Sequence, residues 1–300
     1  MSERRPTHLH FTRMKLIPPI LLLIVAAGCR PVPQGRPPYD GPTEPLVAVV
    51  QKINANNGKI RTVWAQHDFE AMIVDAKGKS HAFSGSGTLQ FRKPGDLLLK
   101  ARGVIDFFDV GANAETFWFT AFPAEVSTQW WGRRENFTGT SAGRSGMPIR
   151  PDLLGEVLGV HEIDTDFTRA PVPVLRFNND EDAYMITWNA PVQDPARWAV
   201  LKEVWYDRKT LRPRVTLLFD ENGRIVLRAY TDPTRYKQIE GTDAWMPGRY
   251  DLYFPENKSQ MTFTLTTVKP SHKPGKIVFP NDNTFTLPTD PGVEKRIEIR

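Results

Sequence analysis

Polar and apolar positions alternate along most of this chain with a period of two, the signature of half-buried strands, and only two stretches break that rhythm. The first is Leu46 to Asn57, where Leu46, Val49, Val50 and Ile53 recur at helical spacing and Asn56-Asn57-Gly58 supplies a stop. The second is Pro151 to Leu158, with proline in the first turn of a short helix. Between and after them the spacing predicts strands. Phe69, Ala71 and Ile73 alternate with Glu70, Met72 and Val74 up to a turn at Lys77-Gly78-Lys79. Leu89 and Phe91 precede the turn Lys93-Pro94-Gly95, and Leu97 to Ala101 follows it. Phe107 to Val110 and Phe117 to Phe122 flank Gly111-Ala112-Asn113-Ala114, a hairpin signal. Trp130 and Trp131 end a further strand, and residues 133–150 read as a glycine-bearing loop.

The second half repeats the style. Val172 to Phe177 and Ala183 to Trp188 flank a polar turn, and Trp198 to Tyr206, Arg214 to Phe219 and Arg224 to Tyr230 form a meander. Tyr250, Leu252 and Phe254, then Met261, Phe263 and Leu265, alternate with polar neighbours. Ten or more strands, short turns and two short helices predict a mainly β fold: one large antiparallel sheet, curled into a half-open barrel, with one or two helices as a lid on its concave side. No flexible linker divides residues 46–300, so one domain is expected there.

The N-terminal part has a different pattern. A basic segment to Lys15 precedes an apolar stretch from Leu16 to Ala27 that is short for a membrane span and carries Pro18 and Pro19. Small residues then run into Cys29, the one cysteine of the chain. Residues 1–28 therefore read as a secretory signal. Ala26-Ala27-Gly28-Cys29 resembles the bacterial lipobox, with Ala26 where a larger aliphatic is usual. In lipoproteins of that kind the thiol receives a diacylglycerol and cleavage falls just before the cysteine. Lipidation at Cys29, and through it a membrane as partner, is the expectation; an ordinary signal peptide or an uncleaved anchor is the alternative. Residues 29–45 are rich in proline and glycine and read as an extended, disordered tether reaching about 50 Å in polyproline geometry. Aspartate is absent at position 30, which points to the outer membrane, facing the periplasm.

Composition narrows the chemistry. The formal charge is +5, but residues 1–28 hold four positive charges and one negative, so their removal leaves +2. No basic run interleaved with aromatics is present, which argues against nucleic acid as a partner. One cysteine excludes a disulfide within the chain and a cysteine metal cluster. The mature histidines, His67, His81, His161 and His272, make no close pair, and Gly85-Ser86-Gly87 lacks the spacing of a nucleophile elbow. No catalytic constellation, metal site or cofactor is expected. Asp180-Glu181-Asp182 suits a solvated turn better than a calcium loop, and the sequons at Asn136 and Asn257 read as chance matches. Trp130-Trp131 reads as strand packing, with an exposed aromatic patch as the alternative.

The order of segments carries a resemblance. The helix ending Ile53-Asn54-Ala55-Asn56, the run Gly85-Ser86-Gly87-Thr88-Leu89-Gln90-Phe91-Arg92-Lys93-Pro94-Gly95, the hairpin Asp109-Val110-Gly111 to Trp118, and the closing segments around Phe285-Thr286-Leu287-Pro288 and Ile297-Glu298-Ile299 resemble the LolA/LolB-like superfamily of lipoprotein-sorting proteins. The resemblance implies a half-open barrel with a helical lid around an apolar cavity for acyl chains or lipoproteins. The exposed apolar loop by which the receptors of that family act on the membrane has no residue-by-residue match. Alternation assigns the cavity wall to Phe69, Ile73, Leu89, Phe91, Phe117, Phe119, Leu217, Phe263 and Leu265. The competing expectation is a filled core, and with it a scaffolding lipoprotein that has no lipid ligand. Neither reading defines an oligomeric state.

Overall fold

The computed structural model describes residues 38–75, 77–136, 147–192 and 197–299. Cys29, the signal segment, most of the tether and most of the 133–150 loop lie outside them.

The elements begin with α1 (Leu46–Asn57), β1 (Thr62–Val74), β2 (Ser80–Arg92), β3 (Asp96–Arg102), β4 (Asp106–Ala112), β5 (Thr116–Ala121) and β6 (Thr128–Arg133). Then come α2 (Pro151–Val157), β7 (Val172–Asn178), β8 (Ala183–Pro191), β9 (Trp198–Asp207), β10 (Pro213–Phe219) and β11 (Ile225–Thr231). The chain closes with β12 (Tyr236–Gln238), β13 (Trp245–Pro247), β14 (Arg249–Phe254), β15 (Ser259–Lys269) and β16 (Lys295–Ile299). Fourteen strands form one sheet in the order β16-β6-β5-β4-β3-β2-β1-β15-β14-β11-β10-β9-β8-β7, and β12–β13 form a separate small hairpin. The fold is the expected mainly β one, a large curled sheet that does not close.

Every neighbouring pair in the large sheet is antiparallel except β16, which runs parallel to β6, pairing Ile297 with Trp130. The long β1–β2 hairpin is its spine, in register from Thr62–Arg92 to Val74–Ser80. β1 starts seven residues before the first expected alternating position. Val63, Trp64 and Ala65 are all buried, because Trp64 stacks on His272 on the outer side at 4.2 Å.

Both helices lie on the concave side. α1 buries Val49, Val50 and Ile53 against Tyr184, Ile186 and Trp188 of β8 and Val204 and Tyr206 of β9. α2 buries Leu154 and Val157 in the main cluster with the inner residues of β1–β5, β14 and β15. On the convex side, Phe285 and Leu287 cover Leu98, Trp118 and Trp131. That cover resolves the tryptophan pair: Trp131 lies in this outer cluster and Trp130 packs on Phe119 from the inner side, at 5.7 Å between rings.

The described end of the expected tether is tied to the sheet. The Tyr39 ring meets Phe177 edge-on and lies 3.7 Å from the Arg208 guanidinium carbon, and the Glu44 amide donates to the Tyr184 hydroxyl at 2.8 Å. Tyr39 to Arg300 accordingly form one compact unit.

Candidate functional site, a cleft on the concave side of the second half-sheet

Eight of the nine expected wall residues meet in one buried cluster: Phe69, Ile73, Leu89, Phe91, Phe117, Phe119, Phe263 and Leu265 are each no more than 5% exposed. Leu217 stands apart. It lies opposite Glu203 and Arg228 on the convex side, and its neighbour Leu218 enters the core instead. Bulges at both ends of β10 offset the parity that alternation assumes.

A concave opening lies elsewhere, over β8–β10. A cleft of about 500 Å³ has its floor on those strands, at Trp188, Val204, Thr216 and Leu218, and its roof on α2 and the segment 158–171 that leads to β7. None of the nine expected residues lines it. The volume falls within the range of pockets that hold small organic ligands.

The cleft is apolar within and its rim is stitched by charge. Lys202 is a cation on an otherwise uncharged inner row. Its ammonium sits 4.5 Å from the Trp188 ring centre and 2.9 Å from Glu156 of α2. The Lys202 charge holds the Glu156 carboxyl below the usual carboxylate range. Glu162 bonds Lys93 at 2.7 Å, and Asp164 bonds Arg169. His161 places Nε2 3.0 Å from the Gly155 carbonyl, and burial pushes its pKa down. The rim pairs cancel most of one another's charge, so the cleft offers an apolar groove between matched ion pairs rather than a field of one sign.

Two asparagines near the end of α1, Asn54 and Asn57, hold the roof, and a third, Asn56, holds β13; of these the sequence reading takes Asn56 and Asn57 as a helix stop. Asn54 grips the backbone of Ile163 on both sides: its Nδ2 donates to the carbonyl and its Oδ1 accepts from the amide, each at 2.8 Å. Asn57 donates to the carbonyls of Gly159 and His161. Asn56 grips Trp245 of β13 in the same two-handed way. Gly58 keeps a right-handed φ of −60°. Its use is space, since a Cβ there would lie 3.0 Å from the Asn54 carbonyl and 3.1 Å from Glu162. Replacing Asn54 by alanine leaves both Ile163 groups without their partner and should cost about 2 kcal/mol. Urea unfolding reads the loss, and faster amide exchange at Ile163 shows that the roof is where it falls; unchanged exchange there would mean that the grip is incidental.

At the opposite end of the β1–β2 spine, the β3–β4 turn carries Val104 fully exposed and Ile105 56% exposed. The two residues form an exposed apolar tip. Among the described residues no group of three His, Cys, Asp or Glu side chains could hold a metal ion, and no helix is long and apolar enough to cross a membrane.

No family model matches the chain, and no curated protein matches it. Solved structures do. A LolA superfamily protein of Nitrosomonas europaea is 12% identical, with 80% of this chain and 97% of that one covered and a TM-score of 0.44. A domain of Vibrio parahaemolyticus named for outer-membrane lipoprotein sorting is also 12% identical, covering 80% and 95% at 0.44. A DUF1329 family protein of Desulfovibrio piger is 15% identical, covering 76% and 93% at 0.45.

Proposed function

We propose that this protein is an envelope lipoprotein that takes up acyl chains, free or carried by another lipoprotein, in the cleft beneath the 158–171 roof. The observation that carries the reading is the cleft itself: a solvent-connected groove of about 500 Å³ with an apolar floor. Each methylene moved from water to such a floor is worth about 0.8 kcal/mol, so a modest groove holds a long chain reversibly. Binding is non-covalent and needs no catalytic group or cofactor. The same reading puts the lipid anchor on Cys29 and the protein at the outer membrane, facing the periplasm. The Val104–Ile105 tip then supplies a second apolar point of contact with a membrane.

A second reading has an observation of its own. The residues that alternation assigns to a cavity wall form a packed core, which suits a scaffolding lipoprotein without a lipid ligand.

Uptake of a fluorescent fatty acid and of a lipopeptide by the unit from Tyr39 onward separates the two. Leu201→Asp and Leu201→Trp, which place charge or bulk in the cleft, are expected to weaken uptake at least about tenfold while the unit still melts cooperatively. Phe119 and Phe263 are unsuitable for this purpose, because charging either core position reports folding and not binding. No uptake by the unaltered protein would leave the scaffolding reading standing.

A further inference from the structure

A second space adjoins the cleft. It measures about 180 Å³, and Asn57, Gly159, Tyr206 and Pro213 line both, so the two share a wall. They differ in charge. The cleft sets Glu156, Glu162 and Asp164 against its cations. The side chamber has Lys52 and Arg212 in its wall and no carboxylate among its lining residues. Lys52 is already engaged, 2.6 Å from Glu44. Arg212 has no such partner among the described residues.

The Arg212 guanidinium is nevertheless held in place. Its central carbon lies 4.5 Å from the ring centre of Tyr236 and 5.4 Å from that of Trp245, both in the chamber wall. Nη1 donates to the Pro233 carbonyl at 3.0 Å, and Asn56 fixes Trp245 in turn through its two backbone bonds. Nε and Nη2 meet no acceptor among the described residues. A fixed fork of donors without a counter-charge matches the oxygens of a carboxylate or a phosphate.

Tyr206 adds a donor on the shared wall. It is 7% exposed, and its hydroxyl meets no hydrogen-bond partner among the described residues. Burial pushes its pKa up, so the proton stays on at neutral pH and the group can donate. The side-chain atoms that are both sealed in protein and partnerless belong, among the described residues, to His67, Gln90, Trp118 and Arg228. The Tyr206 oxygen is not one of them, so it opens onto a space that its residue lines. A hydroxyl left without a partner in a mostly buried position costs stability that a ligand oxygen would return.

We propose that the side chamber receives the anionic head group, carboxylate or phosphate, of an amphiphile whose chain lies in the cleft, with Arg212 pairing its oxygens and Tyr206 donating to them. This assignment rests on acyl-chain uptake in the cleft and narrows it to anionic amphiphiles.

Calorimetry at neutral pH tests it on the full chain, kept soluble in a non-ionic amphipol so that no free micelles compete. The ligands are decanoate, decyl phosphate and the uncharged decanol. At least one of the two anions is expected to bind about tenfold or more tighter than decanol. Arg212→Gln should remove that preference and Tyr206→Phe should reduce it, while both variants keep the affinity of the parent for decanol, which shows that the cleft is intact. Tighter binding of decanoate assigns the chamber to a fatty acid, and tighter binding of decyl phosphate assigns it to a phospholipid head. Equal affinity for all three ligands would overturn the proposal and leave acyl-chain uptake standing. An anion preference that survives Arg212→Gln would overturn it as well. No binding of any of the three would sink acyl-chain uptake and this assignment with it.

Discussion

Replacing Gly87 by alanine is expected to cost more than about 4 kcal/mol, which for a unit of this size lowers the melting temperature by roughly 10 °C or prevents folding. The cause is backbone crowding where β2 bends. A Cβ on Gly87 would lie 1.8 Å from the Lys100 carbonyl oxygen of β3 and 2.8 Å from the His67 ring. Two residues earlier, a Cβ on Gly85 would lie 2.1 Å from the Arg102 carbonyl and 3.3 Å from Phe69. The register places Gly87 opposite His67 and Gly85 opposite Phe69, so two large rings of β1 lie over two glycines of β2. Ring over glycine lets the central hairpin curl without losing inner cover. A carbonyl oxygen held in a strand cannot retreat as a side-chain tip can, which is why even one methyl group is costly here. Gly95→Ala is the matched control, since a Cβ there meets nothing within 4 Å, and it should be neutral or slightly stabilising. Thermal melts of the two variants decide the matter. Equal stability would mean that β2 has more freedom at Gly87 than the close approach implies.

Acidification is the second large effect, and its source lies beside the first. His67 is 1% exposed, on the inner side of β1 between Phe69 and Phe263. Burial pushes its pKa down to about 4, and the nearby backbone of Lys100 and Asp68 offsets only part of that, since neither ring nitrogen meets a partner in hydrogen-bonding geometry. The unfolded chain takes up the proton near pH 6.5, well before the folded one does. Stability from this residue is therefore complete above pH 6.5, declines as the pH falls, and is lost by about pH 4, a total of about 3 kcal/mol. His161, also shifted down by burial, adds in the same direction. The depressed carboxyls, Asp75, Asp251 and Glu156 among them, lose their contribution only at lower pH. Urea midpoints measured above pH 6.5 and near pH 4 should lie closer together in His67→Leu than in the parent. A parent slope that survives the substitution would place the acid sensitivity elsewhere.

Local pattern carried much of this fold. The bounds of α1, the proline-led α2, and the hairpins at Gly111–Ala114 and Asn178–Asp182 depend on periodicity and turn chemistry within a dozen residues, and each was legible before any coordinates. So was the curled antiparallel sheet as a class, because bulky apolar residues recur at every second position over most of the chain. Long-range pairing decided the rest. The partner of β16 lies about 170 residues upstream, and alternation identifies an inner face without saying which strand it meets or in which direction. Leu217 and Leu218 exchanged places because bulges at Pro213–Val215 and Leu218–Phe219 changed the parity, and a bulge arises from how two strands meet. Asn56 and Asn57 look like a helix stop in sequence, yet Asn57, with Asn54, anchors the roof and Asn56 anchors β13 only because His161, Ile163 and Trp245 were folded back onto them. The cleft belongs to the same class. A chain shows which residues can be inside, but whether facing side chains fill the space between two layers or leave it open depends on the distance and angle at which those layers pack.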